Sequence, residues 1–277
     1  MPDELRFDQI GYWSEVKLDI LREYAAAYSK ILSAQPFLTH AYIDAFAGAG
    51  VHIRKVTGEP VPGSPLNALN VSPPFREYHL IDIDSKKTNY LRKLIGSRKD
   101  VFVHKGDANA VLLKQVLPRV RYEDYRRGLC ILDPYGLHLN WEVMFTAGQM
   151  KTIDLFLNFP VEDINRNVLW RNPEKAPAAQ VERLTAFWGD ESWRQIAYTL
   201  QTGLFGTYLE KEPNKVVAEG FRERLRNVAG FARVPEPMPM RNSKGAVVYY
   251  LFFASQKDTA ENIVLDIFKK YRSRGAV

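Results

Sequence analysis

The chain has 277 residues, of which 46% are hydrophobic and 25% charged, and this balance is typical of a soluble globular protein. No apolar run approaches the roughly 20 residues of a membrane helix, and the N-terminus carries no apolar signal segment. Cys130 is the single cysteine, so we predict a reducing, cytoplasmic location with Cys130 as a small core residue. The net charge of +6 and the pI near 9.2 permit a nucleic-acid partner without establishing one.

The first half of the chain alternates between predicted helices and strands. An amphipathic helix is predicted over 15–33, because apolar residues such as Val16, Ile20 and Tyr24 recur at spacings of three and four. The strands that follow it are predicted over 41–45, 78–84, 101–104, 129–132 and 153–158. The helices between them are predicted over 64–69, 85–95, 109–117 and 141–149. This rhythm indicates a parallel sheet with right-handed crossovers.

Two regions interrupt that rhythm. Residues 51–62 contain Gly58, Pro60 and Pro62 and are predicted to be irregular, either as a lid over a ligand or as a detour across the surface. Residues 161–229 are rich in Asn, Arg and Trp and are predicted to form a helical insertion after the fifth strand. The helices of this insertion are predicted near 181–187, 192–200 and 216–228.

The end of the chain is predicted to return to β structure. Residues 231–234, a Pro-rich turn and residues 246–254 would form a closing strand pair with the last strand reversed, covered by a helix over 260–271. The predicted organisation therefore has three parts. They are an N-terminal helix with an α/β core over 1–160, the helical insertion over 161–229, and the closing strand pair with its C-terminal helix over 230–277.

A glycine-rich loop follows the first predicted strand. Tyr42 and Ile43 run into Asp44, and Gly48 and Gly50 then let the backbone turn sharply and approach a ligand. A dinucleotide fingerprint needs a third glycine and a phosphate-binding P-loop needs Gly-Lys-Ser/Thr, and neither follows here. The simplest alternative is a glycine-rich turn of any α/β protein.

The order Asp44, Phe46, Gly48, Gly50 resembles motif I of S-adenosyl-L-methionine-dependent methyltransferases. The resemblance implies that the loop amides meet the methionine carboxylate of that cofactor. Acids at the next strand ends suit the rest of the cofactor. Asp82 can accept hydrogen bonds from both ribose hydroxyls, and Asp107 can accept a hydrogen bond from the adenine amine. The predicted cofactor-binding residues are Asp44, Ala45, Phe46, Ala47, Gly48, Gly50, Asp82, Asp107 and Ala108.

Each of these acids has a structural alternative, since acids often cap helices or close turns. Asp84 is predicted to be such a helix cap, because it stands just before a helix start. Three carboxylates around one crevice would repel one another, so a fold without a ligand has no reason to place them together. Their joint position at successive strand ends therefore favours a ligand site.

The fourth predicted strand ends in Asp133-Pro134-Tyr135-Gly136. This segment resembles the Asp/Asn-Pro-Pro-Tyr/Phe motif of amine methyltransferases, although it has one proline where that motif has two. The resemblance implies that the acid and the prolyl carbonyl accept hydrogen bonds from a target nitrogen while the aromatic ring stacks on the target. Catalysis would then depend mainly on positioning. The predicted catalytic residues are Asp133, Pro134 and Tyr135.

Several longer segments resemble the three-Cys-motif partner (TcmP) family of bacteria and their phages. The segments start at Lys17, Tyr42, Gly63, Gly106, Leu132, Ile153 and Met240 and span almost the whole chain. The resemblance implies a Rossmann-like class I methyltransferase fold with a seven-stranded, mostly parallel sheet, a reversed last strand and a helical insertion after strand 5. It also implies a partner, a radical-SAM-like protein with three cysteines.

These observations predict a methyltransferase that modifies a base amine in nucleic acid. The alternatives are a methyltransferase of a protein or small molecule, and a non-catalytic subunit that binds the three-cysteine partner. The basic clusters at 119–127, 222–226 and 269–274 fit nucleic acid but equally fit solvated helix faces. Trp170, Trp188 and Trp193 could stack on bases or pack inside the insertion. No metal is predicted, because the histidines lack ligand spacing and no cysteine cluster exists.

Overall fold

The computed structural model describes residues 5–203, 206–242 and 244–272. The strands are β1 (Gln9–Ile10), β2 (Thr39–Asp44), β3 (Val51–Arg54), β4 (Pro60–Pro62), β5 (Glu77–Asp82), β6 (Val101–Lys105), β7 (Arg126–Leu132), β8 (Ile153–Phe159), β9 (Tyr198–Gly203), β10 (Gly206–Lys211), β11 (Met238–Arg241) and β12 (Val247–Ala254). The helices are α1 (Tyr12–Ser33), α2 (Ser64–Leu69), α3 (Ser85–Ile95), α4 (Ala108–Val111), α5 (Trp141–Met150), α6 (Val161–Asn167), α7 (Ala178–Trp188), α8 (Trp193–Ala197), α9 (Asn214–Asn227) and α10 (Asp258–Arg272).

The central sheet has seven strands in the order β11-β12-β8-β7-β2-β5-β6. Strand β2 pairs in parallel with both β5 and β7, and β12 runs antiparallel to β8. The predicted seven-stranded, mostly parallel sheet with a reversed last strand is therefore confirmed. Because β2, β5, β6, β7 and β8 run in parallel, their carboxyl ends meet at one end of the sheet, where ligands of open α/β sheets gather.

The sheet is buried on both faces, which is why its strands read as nearly continuous apolar runs. Successive side chains alternate between the faces, so Tyr42 packs in one core cluster and Ile43 in the other. Helix α1 buries Val16, Ile20 and Tyr24 against the first of these clusters. Cys130 is buried in β7, as predicted.

Residues 51–62 are not irregular, and that prediction was wrong. They form an antiparallel hairpin of β3 and β4, and β1 joins it in parallel, with Gln9 opposite Ile53. Pro60 and Pro62 lie on β4, which is the edge of this small sheet, and an edge strand tolerates residues without a backbone N–H. The glycine and proline content therefore concealed a strand whose partner is more than forty residues away in the chain.

The insertion is not purely helical. Strands β9 and β10 form a two-stranded antiparallel sheet within it, and the helix predicted over 192–200 ends at Ala197. The closing strand pair also differs from the prediction, because β11 occupies the predicted Pro-rich turn. Residues 231–234 contribute only an isolated bridge between Arg233 and Ser255. Strand β11 is the outer strand of the central sheet, which explains why Pro239 is accommodated there.

Helix α4 is shorter than the predicted helix over 109–117. The chain continues as a π turn over Leu112–Val116 and then as a 3₁₀ turn over Leu117–Arg119, where Pro118 lacks the backbone N–H that would continue an α-helix. Among the described residues, no helix combines the length and the apolar character needed to cross a membrane. Ser243 of the family-like segment and residues 273–274 of the last basic cluster lie outside the described residues.

Candidate functional site

A cavity of about 360 Å³ opens at the carboxyl ends of the parallel strands. This volume is within the range of small-molecule sites. Phe46, Ala47 and Gly48 of the glycine loop line one side, and Asp133 and Tyr135 line another. The structure therefore brings the predicted cofactor loop and the predicted catalytic loop to one cavity. The small β1-β3-β4 sheet forms a further wall of the cavity, to which His52 of β3 contributes. This position agrees with the lid alternative for residues 51–62 and not with a detour across the surface.

The glycine loop is fastened to the end of β5. Gly48 and Gly50 have φ angles of +62° and +79°, which L-residues with a Cβ rarely adopt. The Ala47 amide donates to the Ile81 carbonyl at 2.9 Å, and the Gly48 amide donates to Asp82 Oδ2 at 2.9 Å. These two amides are therefore already used within the protein and are not free for a ligand carboxylate, contrary to the expectation for motif I.

Asp44 lies beneath the glycine loop and does not line the cavity. It is fully buried, and burial raises the pKa of its carboxyl to about 6, while a hydrogen bond from Ser64 opposes the rise and the charge of Asp133 adds to it. Tyr42 donates a hydrogen bond to Asp44 Oδ2 at 3.3 Å, and Oδ1 has no partner within the described residues. A cofactor-binding role for Asp44 stays a prediction.

Replacing Asp44 with asparagine is expected to stabilise the ligand-free protein at pH 8 but not at pH 4. The pKa of Asp44 rises on folding from 3.8 to about 6, so the folded state binds more protons between these values. Stability is therefore lost as the pH increases through that window, by about 3 kcal/mol when the window is complete. Thermal unfolding at both pH values measures the difference.

Exposed Asp266 provides the matched control, because Asp266→Asn also removes one carboxyl but leaves the core unchanged. A gain in melting temperature of equal size at pH 4 and pH 8 for Asp44→Asn would contradict the buried-charge explanation.

The acids of the next two strand ends are all hydrogen-bonded within the protein. Asp82 is almost buried, and its Oδ1 accepts from the Asp84 amide at 2.8 Å. Asp84 caps α3, as predicted, by accepting from the Lys86 amide at 2.7 Å. Asp107 caps α4 through the Ala110 amide at 2.9 Å but remains exposed. Asp82 and Asp107 lie at neighbouring strand ends beside the cavity lining rather than in it.

Two further predicted cofactor residues are small and enclosed. Ala45 and Ala108 are both buried, Ala45 at the start of the glycine loop and Ala108 in the first turn of α4. Gly50 accepts a backbone hydrogen bond from Gly63 at 2.8 Å, which closes the base of the hairpin. These residues shape the backbone around the site, and none of them is part of the cavity lining.

Asp133 is held by two partners that the sequence did not reveal. Its Oδ2 forms an ion pair with Lys17 of α1, and its Oδ1 accepts from Asn158 Nδ2 at 2.8 Å. Burial alone would lower the pKa of Lys17, but the Asp133 carboxylate raises it well above its ordinary value. The Tyr249 ring lies 5.4 Å from the Lys17 ammonium. The side chain of Asp133 is therefore fixed in position before any substrate arrives.

Two buried polar atoms at the cavity have no partner within the described residues. They are Asn158 Oδ1, which is an acceptor, and His52 Nδ1, and both residues line the cavity. Burial and the charge of Lys17 lower the pKa of His52, so its ring is neutral near neutral pH and one of its two nitrogens carries the proton. Buried polar atoms rarely stay unpaired, so these two atoms are points where a water molecule or a ligand would form hydrogen bonds.

The Asp133 loop ends against α6. Pro134 is buried, and Gly136 has a φ angle of +59° with Asp163 so close that a Cβ would lie 2.9 Å from its Oδ2. Tyr135 is 57% exposed, and its hydroxyl donates to Asp8 Oδ2 at 2.8 Å. Lys87 of α3 donates to Asp8 at 2.9 Å and to the Tyr135 hydroxyl at 3.2 Å. The Tyr135 ring is therefore anchored at its hydroxyl end.

Lys17, His52 and Asn158 were not predicted as site residues. Asn158 could have been found, because it is the polar residue near the end of the fifth parallel strand. Lys17 is the polar interruption in the buried face of α1, but nothing local shows that it meets a residue 116 positions away. His52 belongs to the hairpin that was predicted to be irregular.

No protein-family model matches the chain, and no curated protein does. The resemblance to the TcmP family therefore stays a prediction.

Several solved structures align with most of this chain at low sequence identity. A protein of Legionella pneumophila is 13% identical over 92% of each chain, with a TM-score of 0.47. The DszA carbon methyltransferase is 16% identical over 87% of this chain and 54% of its own, with a TM-score of 0.45. An S-adenosylmethionine-dependent methyltransferase of Mesorhizobium loti is 10% identical over 83% of this chain and 97% of its own, with a TM-score of 0.38. These likenesses are too distant to transfer an activity or substrate.

Proposed function

We propose that the protein is an S-adenosyl-L-methionine-dependent methyltransferase that N-methylates a base amine in nucleic acid. The observation that carries the proposal is the arrangement of the Asp133-Pro134-Tyr135 loop beside the glycine loop in one cavity at the carboxyl ends of the sheet. A carboxylate, a prolyl carbonyl and an aromatic ring are the groups that orient a planar amine.

Several residues at and beside the cavity suit parts of the cofactor, although the Ala47 and Gly48 amides are already bonded within the protein. S-adenosyl-L-methionine supplies a methyl group on a sulfonium cation. Asp82 retains acceptor capacity on both oxygens for ribose hydroxyls, and Asp107 is exposed at the next strand end. The unpartnered Asn158 Oδ1 suits an N–H donor such as an ammonium group. A positive charge near Asp44 would also favour the ionised form of that buried carboxyl.

The chain's own residues would position and deprotonate the target. Lys17 and Asn158 fix the Asp133 carboxylate, which then accepts a hydrogen bond from the amine through a remaining lone pair. The Pro134 carbonyl would accept from the second amine hydrogen. Asp133 would also take the proton that the nitrogen loses, at Oδ1 or Oδ2. The main catalytic contribution of these residues would be to orient the lone pair of the target nitrogen toward the methyl group.

Aromatic stacking supports a base as the target. The Tyr135 ring is exposed at the cavity and is anchored through its hydroxyl. Trp188 and Trp193 are fully buried in the insertion, which confirms the packing alternative for two of the three tryptophans. Unpaired bases are held by such exposed rings, so Tyr135 takes the role that the buried tryptophans cannot fill.

Replacing Tyr135 with alanine is expected to reduce turnover strongly, whereas Tyr135→Phe is expected to be mild. Phenylalanine keeps the stacking ring and loses only the contacts of the hydroxyl with Asp8 and Lys87. Initial rates with saturating cofactor measure both variants. Equal loss in the two variants would show that the hydroxyl, and not the ring, is needed.

The proposal is tested with methyl-labelled S-adenosyl-L-methionine and cellular RNA, DNA and protein fractions. Label in a nucleic-acid fraction, found on a base amine after digestion to nucleosides, is the expected result. Label found only in protein or in small molecules would show that the protein is a methyltransferase whose substrate is not nucleic acid. Cofactor binding without label in any fraction would overturn the enzymatic proposal.

A second candidate is a non-catalytic subunit that binds a three-cysteine radical-SAM-like partner in bacteria. One observation favours it, because both Asp133 oxygens already have partners within the protein, as a purely structural acid would. Weaker binding of that partner by Asp133 or Tyr135 variants, with methylation unchanged, would support this candidate. The partner itself is a proposal that depends on the family resemblance.

A further inference from the structure

A second concave surface lies at the opposite end of the sheet from the cavity. It is an open groove of about 460 Å³ at the amino ends of β5, β6 and β7. We call it the basic groove and define it by Arg76, Lys99, Phe102, Arg119 and Arg126. Arg119 and Arg126 belong to the basic cluster over 119–127 that the sequence singled out. Nothing in the proposed chemistry uses this surface.

The cations of the basic groove exceed its acids. Arg126 and Arg119 share the single carboxylate of Glu77. The hydrogen bond from His79, together with the charge of Arg126, lowers the pKa of Glu77 to about 2, so Glu77 stays ionised. Asp100, the second acid of the groove, pairs with Arg98.

The remaining cations are available for an anion. Arg76 and Lys99 form no ion pair with any carboxylate among the described residues. The groove therefore has a net positive charge, which favours phosphate oxygens.

An aromatic platform lies among these cations. Phe102 is 38% exposed on the edge strand β6 and stacks on the His79 ring at 5.3 Å with an interplanar angle of 18°. The Arg119 guanidinium lies 5.6 Å from the Phe102 ring. A ring and a guanidinium plane beside unpaired cations are the parts from which single-stranded nucleic-acid sites are built.

We propose that the basic groove binds single-stranded nucleic acid, with Arg76 and Lys99 on phosphates and Phe102 with Arg119 stacked on a base. Binding in the groove is independent of the proposed function, but the further statement that the bound strand is also the substrate rests on it. The seven-residue strand β7 separates the groove from the cavity by about 20 Å, at about 3.3 Å per residue. A strand held in the groove would therefore raise the local concentration of its distant bases near the cavity.

The test is fluorescence anisotropy of labelled 20-nucleotide oligouridylate and oligothymidylate, without cofactor, over a range of salt concentrations. The double variant Arg76→Ala/Lys99→Ala is expected to bind more weakly. It is also expected to reduce the steepness of the negative slope of log affinity against log salt by about 1.4, since each phosphate contact contributes about 0.7 to that steepness for single strands. Phe102→Ala is expected to weaken binding about 5- to 150-fold with the slope unchanged.

The control is Lys175→Ala/Lys269→Ala, which removes two exposed cations that do not line the groove. Equal affinities of the control and the Arg76/Lys99 variant would overturn the proposal, as would a lack of binding by the native protein. Competition by polyglutamate as strong as that by unlabelled oligonucleotide would also overturn it, since a peptide would then be an equal occupant. Because no methyl transfer is measured, a failure of the proposed function leaves this result interpretable.

A second readout links the groove to the site. If the groove holds the substrate strand, the Arg76/Lys99 variant loses methylation of long strands while that of oligonucleotides too short to span about 20 Å is unchanged. Equal loss on both lengths would place the effect at the cavity and would count against the groove.

Discussion

Replacing Asp133 with alanine is expected to reduce methyl transfer at least about 100-fold, which is typical of losing a group that orients or deprotonates the target. The variant removes the acceptor and leaves the Lys17 ammonium buried without its carboxylate. Cofactor affinity is expected to change little, because Asp82 and Asp107 lie at other strand ends. Turnover per folded molecule, with calorimetry of cofactor binding, measures both effects.

Stability must be measured beside turnover, because the loss of a buried ion-pair partner is itself costly. Asp133→Asn is the matched variant, since it keeps the shape of the side chain and one acceptor oxygen. If Asp133-Pro134 is only a strand-ending turn, both variants will lower the melting temperature while turnover per folded molecule stays at the native value. That result would remove Asp133 from the proposed mechanism.

Replacing Asp82 with alanine is expected to lower the affinity for S-adenosyl-L-methionine by about 1.5–3 kcal/mol, or roughly 10- to 150-fold. Two effects are expected, because the variant removes the proposed acceptor for the ribose hydroxyls and also releases the Gly48 amide from Asp82 Oδ2. The glycine loop then loses one of the bonds that fasten it to β5. Isothermal calorimetry with S-adenosylhomocysteine measures the change.

Asp84→Ala is the control for this experiment, since Asp84 is a helix cap two residues further along the chain. It is expected to cost stability, by about 1 kcal/mol, with cofactor affinity nearly unchanged. Unchanged affinity in Asp82→Ala would remove Asp82 from the cofactor site without affecting the fold.

The order of strands and helices in the core could be predicted from the sequence because its signals are local. Apolar runs such as that of β7 are long enough to mark a strand, and α3 begins directly after its predicted cap, Asp84, and spans the predicted residues 85–95. The acids at the carboxyl ends of strands were also predictable, because strand direction alone brings those ends together. Asp133 and Tyr135 reach the cavity for this reason.

The unpredicted parts depend on pairings between distant segments. Strand β1 has two residues and exists only through its partner β3, and β11 is a proline-containing edge strand that exists through β12. The ion pair between Lys17 and Asp133 joins a helix and a loop that share no sequence signal. In the glycine loop, the motif indicated where the amides lie but not that Asp82 already accepts one of them.

The attachment of the cavity wall has a consequence for ligand entry. Within the wall, the β3-β4 hairpin is joined to β1 by a ladder of two residue pairs, through the amides of Ile53 and Lys55. So short a ladder can open locally at a free energy far below that of global unfolding. We expect such an opening to admit a ligand while the seven-stranded sheet stays intact, and amide exchange at Ile53 and Lys55 to be faster than at Ile43 in the central strand.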